Sequence, residues 1–294
     1  MSAGPTGAPA RGGPPRVDLP YRLFGRARGV SPGSHRAAGA GANGAFLRHG
    51  SILEIPDARR IDVRASILDP FGGLKIRRFE NRARIDVFVV LDLSGSMAFG
   101  RDEQDPVADL CAAIAHAAIR GQDRFGMIAA GPTARADIAM RATRRAGVPD
   151  EVWRRLSEGA ATGAGVKGLI DALDELPQRR SLVFVVSDFL MPEHDVEELL
   201  GRLWRHDVAP VVVRSSQVED RLPRFGLIET RDLETGRRKL VFMRSSMRER
   251  WLEHARARRA ALDRAFRRHG RPAFDLVDRF DPDAFADHLL SGGA

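Results

Sequence analysis

Asp92, Ser94 and Ser96 place three hard oxygen ligands within five residues. They follow Ile85 to Leu91, a run of Ile, Val, Phe and Leu broken only by Asp86. So apolar a run reads as a strand buried on both faces of a sheet. Open α/β sheets gather their ligands at the C-terminal ends of such strands. Carboxylate and hydroxyl oxygens suit Mg²⁺, or another divalent cation such as Mn²⁺ or Ca²⁺, better than a softer metal.

Two later positions carry the same chemistry. Thr162 lies in the Gly-rich stretch from Gly159 to Gly165, just ahead of a helical pattern. Asp188 ends the apolar run from Ser181 to Ser187. In a parallel sheet all of these fall on one edge. The competing reading is that each Asp or Ser only caps a helix or forms a turn. A single Asp-x-Ser-x-Ser leaves that choice open; three pieces in order, each after the right element, favour a metal site.

The elements that must hold these residues alternate between strand and helix. Apolar runs at 124–130, 181–188, 208–213 and 274–277 read as strands, with a shorter one within 134–140. Helical spacing marks 105–118, 150–156, 166–176, 193–206, 246–268 and 281–290. Asp105 followed by Pro106 is a helix start. The segments 227–231 and 239–243 read as a hairpin. This order predicts an α/β fold with a doubly wound, mostly parallel sheet over 84–294. A small β-rich module is expected over 19–83, with strands at 51–55, 60–67 and 74–80 and mostly loop at 29–50. Residues 1–18 are Pro, Gly, Ala and Arg with little to bury, so a disordered tail is expected.

Composition narrows the function classes. The single cysteine, Cys111, sits on the apolar face of a helix, so packing is expected of it rather than reactivity. One thiol excludes an internal disulfide and fits a reducing compartment. No apolar run reaches the ~18 residues of a membrane helix, and no signal peptide is visible. A cytoplasmic protein is expected. The net charge of +8 comes almost wholly from Arg spread along the chain, with Lys only at Lys75, Lys167 and Lys239. No aromatic-interleaved basic stretch accompanies it, so nucleic acid is not the expected partner.

Other motifs are discounted on context. Gly163-x-Gly165-x-x-Gly168 matches a dinucleotide fingerprint by letter, but a helix and not a strand precedes it. A phosphate-binding Gly-x-x-x-x-Gly-Lys loop is absent, so the chain is not expected to hydrolyse ATP. Ser94 occupies the place where an aspartyl-phosphate phosphatase would carry its second acid. The eight histidines show no zinc-type pairing.

The Asp-Ser-Ser loop, a later Thr in a Gly-rich loop and an Asp after the next strand resemble the metal-ion-dependent adhesion site of a von Willebrand factor A (vWA) domain. The resemblance implies that Ser94, Ser96 and Thr162 coordinate the metal. It gives Asp92 and Asp188 the task of supplying charge, directly or through water. Flanking segments extend the likeness: Arg59 to Ser66, Lys75 to Glu80, Glu219 to Gly226 and Asp232 to Gly236. Together they resemble the bacterial vWA family known as domain of unknown function 58, typically encoded beside MoxR-type AAA+ ATPases. The likeness runs from about Gly33 to the C-terminus. This chain departs from the family's Tyr-x-Pro-Gly-Asp-Asp-x-Arg-x-Ile-Asp-Trp, reading Ile52 to Val63 without the Gly-Asp pair and the Trp. Asp69-Pro70-Phe71-Gly72 is reminiscent of the member encoded in methanol-dehydrogenase maturation clusters. The resemblance implies a non-enzymatic adaptor. Its Mg²⁺-loaded face would bind an acidic residue on a client protein, with the ATPase remodelling that client or inserting its metal. The alternatives are a Mg²⁺-dependent phosphoester hydrolase using the same site and an Arg-driven nucleic-acid binder.

Overall fold

The computed structural model describes residues 13–21, 32–54, 56–98, 105–159, 163, 165–216, 223, 225–231, 238–269 and 272–291. An N-terminal ribbon pairs β1 (Pro32–Ser51) antiparallel with β2 (Lys75–Ala83). Three expectations fail here. Of the strand expected at 51–55 only Ser51 is strand, as the end of β1, and 52–54 form a turn. The stretch 29–50, read as loop, contributes most of β1. Its small Gly and Ala side chains give no alternation to read, yet ladder pairing needs only the backbone, and the ladder is interrupted by four register shifts. The expected strand at 60–67 is instead the short helix α1 (Val63–Ile67). Asp62 caps it by accepting the Ala65 N–H at 3.1 Å. The Arg77 guanidinium beside Asp62 holds that carboxyl well below the usual range, helped by the Ala65 N–H and by His49.

The α/β part follows in order. It contains β3 (Asp86–Asp92), α2 (Pro106–Arg120), β4 (Arg124–Ala130), β5 (Met140–Thr143), α3 (Val148–Glu158) and α4 (Lys167–Ala172). Then come β6 (Leu182–Ser187), α5 (Glu193–Arg202), β7 (Asp207–Arg214) and the hairpin of β8 (Gly226–Arg231) and β9 (Arg238–Met243). The last elements are α6 (Ser245–Arg268), β10 (Phe274–Val277) and α7 (Pro282–Ser291). The six-stranded sheet runs β10-β7-β6-β3-β4-β5, parallel except for β5. The expected α/β, Rossmann-like architecture is present. The short strand sought within 134–140 begins only at Met140; Ala134 makes a single bridge to Ala130.

Alternation along β3 and β6 builds the two sides. Val87, Val89, Leu91 and Phe184 point into a layer closed by α2, α3 and α7. Phe88, Val90, Val183 and Val185 point into a layer closed by α4, α5 and α6. Both strands are buried along their whole length, as a central parallel strand covered on two faces must be. Asp105 caps α2 through the Val107 and Ala108 N–H groups. Cys111 is fully buried within it.

Order reaches further toward the N-terminus than expected. Val17, Leu19 and Tyr21 pack against the α2 layer, inside and just beyond the stretch read as a disordered tail. The Tyr21 hydroxyl donates to Asp123 at 2.7 Å, and Asp123 also accepts the Ile85 N–H at 2.9 Å. That aspartate, fully buried, therefore ties the N-terminal segment to the entrance of β3.

Burial, reinforced by the charge of Asp123, raises the Tyr21 phenol above its ordinary value near 10. A phenol raised on folding stabilises fully below that ordinary value and loses its contribution as pH climbs through the folded one. The unfolding free energy should hold through neutral pH and fall above about pH 10. Tyr21→Phe should lower it by about 1–3 kcal/mol at neutral pH and flatten the alkaline fall. Urea unfolding at neutral and alkaline pH reads both effects.

Candidate metal centre

β3 leads through α2 to β4 on one side, while β6, formed later, pairs on its other side. The C-terminal ends of β3 and β6 thus flank the point where strand order reverses, the usual ligand position of such sheets. Asp92 is the last residue of β3 and Ser187 the last of β6. Asp92 Oδ1 accepts the Ser94 N–H at 2.8 Å, and Oδ2 accepts the Ser187 hydroxyl at 2.7 Å. Ser187 Oγ in turn accepts the Phe189 N–H at 2.9 Å.

Beyond Asp92 the chain makes a 3₁₀ turn, Gly95–Ala98. It sets the Ser94 and Ser96 hydroxyls 3.1 Å apart. Ser96 also hydrogen-bonds Asp188, whose Oδ1 accepts the Leu190 N–H at 2.9 Å. Four of the residues singled out in the sequence, Asp92, Ser94, Ser96 and Asp188, are therefore linked at one place. Thr162 lies outside the described residues. Its neighbour Gly163 brings the same loop to the site, because the Gly163 carbonyl accepts the Gly95 N–H at 2.8 Å.

The glycines of that loop have steric reasons unrelated to a dinucleotide. Gly163 and Gly165 hold φ of +82° and +101°, open to glycine and costly for other residues. A Cβ on Gly168 would lie 2.6 Å from the Pro132 backbone, so α4 starts in close contact with the chain leaving β4.

Depth is graded across the site. Asp92 is 2 % exposed and Ser94 6 %, whereas Ser96 and Asp188 are half-buried and reach solvent. Burial raises the Asp188 carboxyl; Ser96 and the Leu190 N–H oppose this, the negative charge of Asp92 adds to it, and Arg258 opposes it again. A carboxyl raised by burial and by a neighbouring acid, beside two hydroxyls, makes a place where a hard cation is favourable. Among the described residues no group of three His, Cys, Asp or Glu side chains gathers, so this is a mixed carboxylate–hydroxyl set and not a carboxylate cage. Such a set fits Mg²⁺, which binds through one or two carboxylates and keeps waters where the protein leaves its shell unfilled.

Two residues of the site escaped the sequence reading. Ser187 orients Asp92, but a serine ending a buried strand carries no signal of its own. Arg258 of α6 donates to the carbonyls of Phe189 and Met191, the latter at 2.5 Å. This clamps a turn in which Phe189 holds φ of +51°, a strained value for a side chain of that size. Nothing distinguishes Arg258 in sequence from the other arginines of its helix. A cavity of about 740 Å³ lies elsewhere, between β4, β5 and the end of α4, lined by Phe88, Arg124, Met140 and Glu175 among others. It shares none of the metal-site residues.

Comparison with known proteins places the chain. An uncharacterized protein of Mycobacterium tuberculosis is 28% identical over 240 residues, 79% of this chain and 73% of that protein. An uncharacterized protein of Paracoccus denitrificans, named for the moxR 3′ region, is 38% identical over 96 residues, 33% of this chain and 91% of that protein. Among solved structures, an aerotolerance-related membrane protein of Bacteroides fragilis aligns with 70% of this chain and 99% of its own, at 13% identity and a TM-score of 0.38. The expected cytoplasmic location is not carried forward; the description as a membrane protein is that of the Bacteroides fragilis protein. Among the described residues, no helix is long and apolar enough to cross a membrane. The family described as "Protein of unknown function DUF58" matches residues 57–261, a span that holds every residue of the candidate metal site, and this chain belongs to it.

Proposed function

We propose that the protein is a metal-dependent adaptor. In this reading the Asp92, Ser94, Ser96 and Asp188 face is a vWA-type adhesion site that captures an acidic residue of a client protein, in partnership with a MoxR-type AAA+ ATPase. The observation that carries it is the graded depth of the site. The recessed Asp92 has both oxygens engaged by Ser94 and Ser187, while Ser96 and Asp188 stay open to an incoming group. The Paracoccus relative named for the moxR region supports the ATPase as partner.

Each residue has a task in this reading. Asp92 supplies fixed negative charge and cannot swing away. Ser94 and Ser96 offer neutral oxygens, and Thr162 adds a third from the loop bonded to Gly95. Asp188 adds charge from the second strand. Bound there, Mg²⁺ supplies an electrophilic position that a partner carboxylate can fill. The set favours binding over turnover, because Ser94 stands where phosphoryl transfer would need a second acid.

Calorimetric titration with Mg²⁺ or Mn²⁺ should show one site in the native chain and none in Asp92→Asn. Ser187→Ala, which removes only the group orienting Asp92, should weaken the metal by about 10- to 100-fold. A metal affinity unchanged in both variants would remove the site. Capture is tested with the tagged chain and the co-expressed ATPase and client. Asp92→Ala and chelation should each abolish co-purification while the circular dichroism spectrum stays native. Undiminished capture by Asp92→Ala would sink the adaptor reading.

A further inference from the structure

The N-terminal ribbon ends in three apolar tips. Ser51 of β1 pairs with Lys75 of β2, so the chain segments beyond these residues meet at one end of the ribbon. The turn after Ser51 is held there by the Ile52 N–H on the Leu74 carbonyl. Helix α1 is held by the Asp62 N–H on the Lys75 carbonyl and by Ser66 Oγ, which accepts the Lys75 N–H at 2.9 Å. Ser66 thus faces the ribbon. Val63, Arg64, Ile67 and Leu68 are exposed to solvent. The turn from Asp69 to Gly72 follows directly, closed by the Gly72 N–H on the Asp69 carbonyl.

Six large apolar side chains on and beside these tips are exposed. Leu53 and Phe71 are 91 % and 93 % exposed, and Val63, Ile67, Leu68 and Leu74 accompany them. A soluble surface scatters such residues singly; six on neighbouring tips mark an interaction site. They stand on separate turns of the chain.

The charges around them are unbalanced in one direction. Each acid of residues 51–79 is matched: Glu54 by Arg78 at 2.8 Å, Asp57 by Arg60 at 3.0 Å, Asp62 by Arg77 at 2.8 Å and Asp69 by Lys75 at 3.1 Å. Arg59 and Arg64, both exposed, remain as surplus positive charge beside Val63 and Leu68. Exposed apolar side chains with surplus cations beside them fit the headgroup–acyl boundary of an anionic bilayer. There, separate side chains can each sink in without a preformed pocket, while arginines meet lipid phosphates.

We propose that this end of the ribbon docks on anionic membrane surfaces, with Ile67, Leu68 and Phe71 inserted and Arg59 and Arg64 at the headgroups. Docking of this kind uses no residue of the metal site and does not depend on the adaptor reading.

The test is co-sedimentation of the full chain with vesicles of phosphatidylcholine, with or without phosphatidylglycerol, in the presence of chelator. Binding should appear on the mixed vesicles and weaken with added salt. Arg64→Glu should reduce it about fivefold, and Phe71→Asp combined with Ile67→Asp about tenfold. These side chains are exposed, so the variants should keep the native melting curve, and Asp92→Asn should sediment as the native chain does. Sedimentation with neither vesicle overturns the proposal, as does equal binding by the Phe71→Asp, Ile67→Asp chain. Self-association that Phe71→Asp abolishes, without vesicle binding, would give the patch to a second copy and overturn it as well.

Discussion

A carboxylate buried at the end of a strand with no solvent on either face is the constraint that the site obeys. An ionised group so placed is costly unless hydrogen bonds replace its water. Asp92 obtains them from the Ser94 N–H on one oxygen and the Ser187 hydroxyl on the other. The first bond forces the chain to turn immediately after β3, which sets Ser96 over the site. The second couples β3 to β6 and fixes where Asp188 follows. One buried charge thereby dictates both loops.

The two edges of the sheet treat acids in opposite ways. At the N-terminal edge two buried acids, Asp86 and Asp207, are matched by arginines. Asp86 receives Arg124 through Nε at 2.7 Å and a second nitrogen at 2.8 Å, and also receives Arg179. Asp207 receives Arg180. At the C-terminal edge no guanidinium bonds Asp92 or Asp188 among the described residues. Arg258, whose charge acts on Asp188, bonds the Phe189 and Met191 carbonyls through a single nitrogen instead. Matched acids hold strands in register; acids left with hydroxyls and N–H groups keep a demand for positive charge. The asymmetry separates the end of the sheet that stabilises from the end that can bind.

How much of this was legible in sequence follows from the kind of signal each residue carries. The runs of β3 and β6 are apolar throughout, so their position and their terminal acids could be read directly. The Asp105-Pro106 start of α2 was equally plain. β1 was not, because Gly and Ala show no alternation even where the backbone pairs. At 60–67 imperfect alternation suggested a strand, and the single bond from the Ala65 N–H to Asp62 decided for a helix. Asp92, Ser94, Ser96 and Asp188 were found because they are adjacent in sequence or end strands. Ser187 and Arg258 act through contacts 95 and 67–69 residues away in the chain, which no local pattern encodes.

The loops of the site are also fastened to one another through the backbone, and this bears on how the site can work. The Leu93 N–H bonds the Ala130 carbonyl, and the Gly95 N–H bonds the Gly163 carbonyl, both at 2.8 Å. A Cβ on Gly131 would come within 3.0 Å of the Leu93 carbonyl oxygen, so the β4 loop lies directly against the β3 loop. Arg258 adds the fourth strap, from α6 to the turn after Asp188. Loops joined in this way lose little further freedom when they bind, and free energy that would otherwise go into ordering them remains available for affinity. A site that had to gather its ligands from free loops would show long, unshared backbone segments between them. Here Asp92 and Ser94 are recessed, Ser96 and Asp188 lie nearer the surface, and the backbone beneath is already bonded, which suits capture of a group presented from outside.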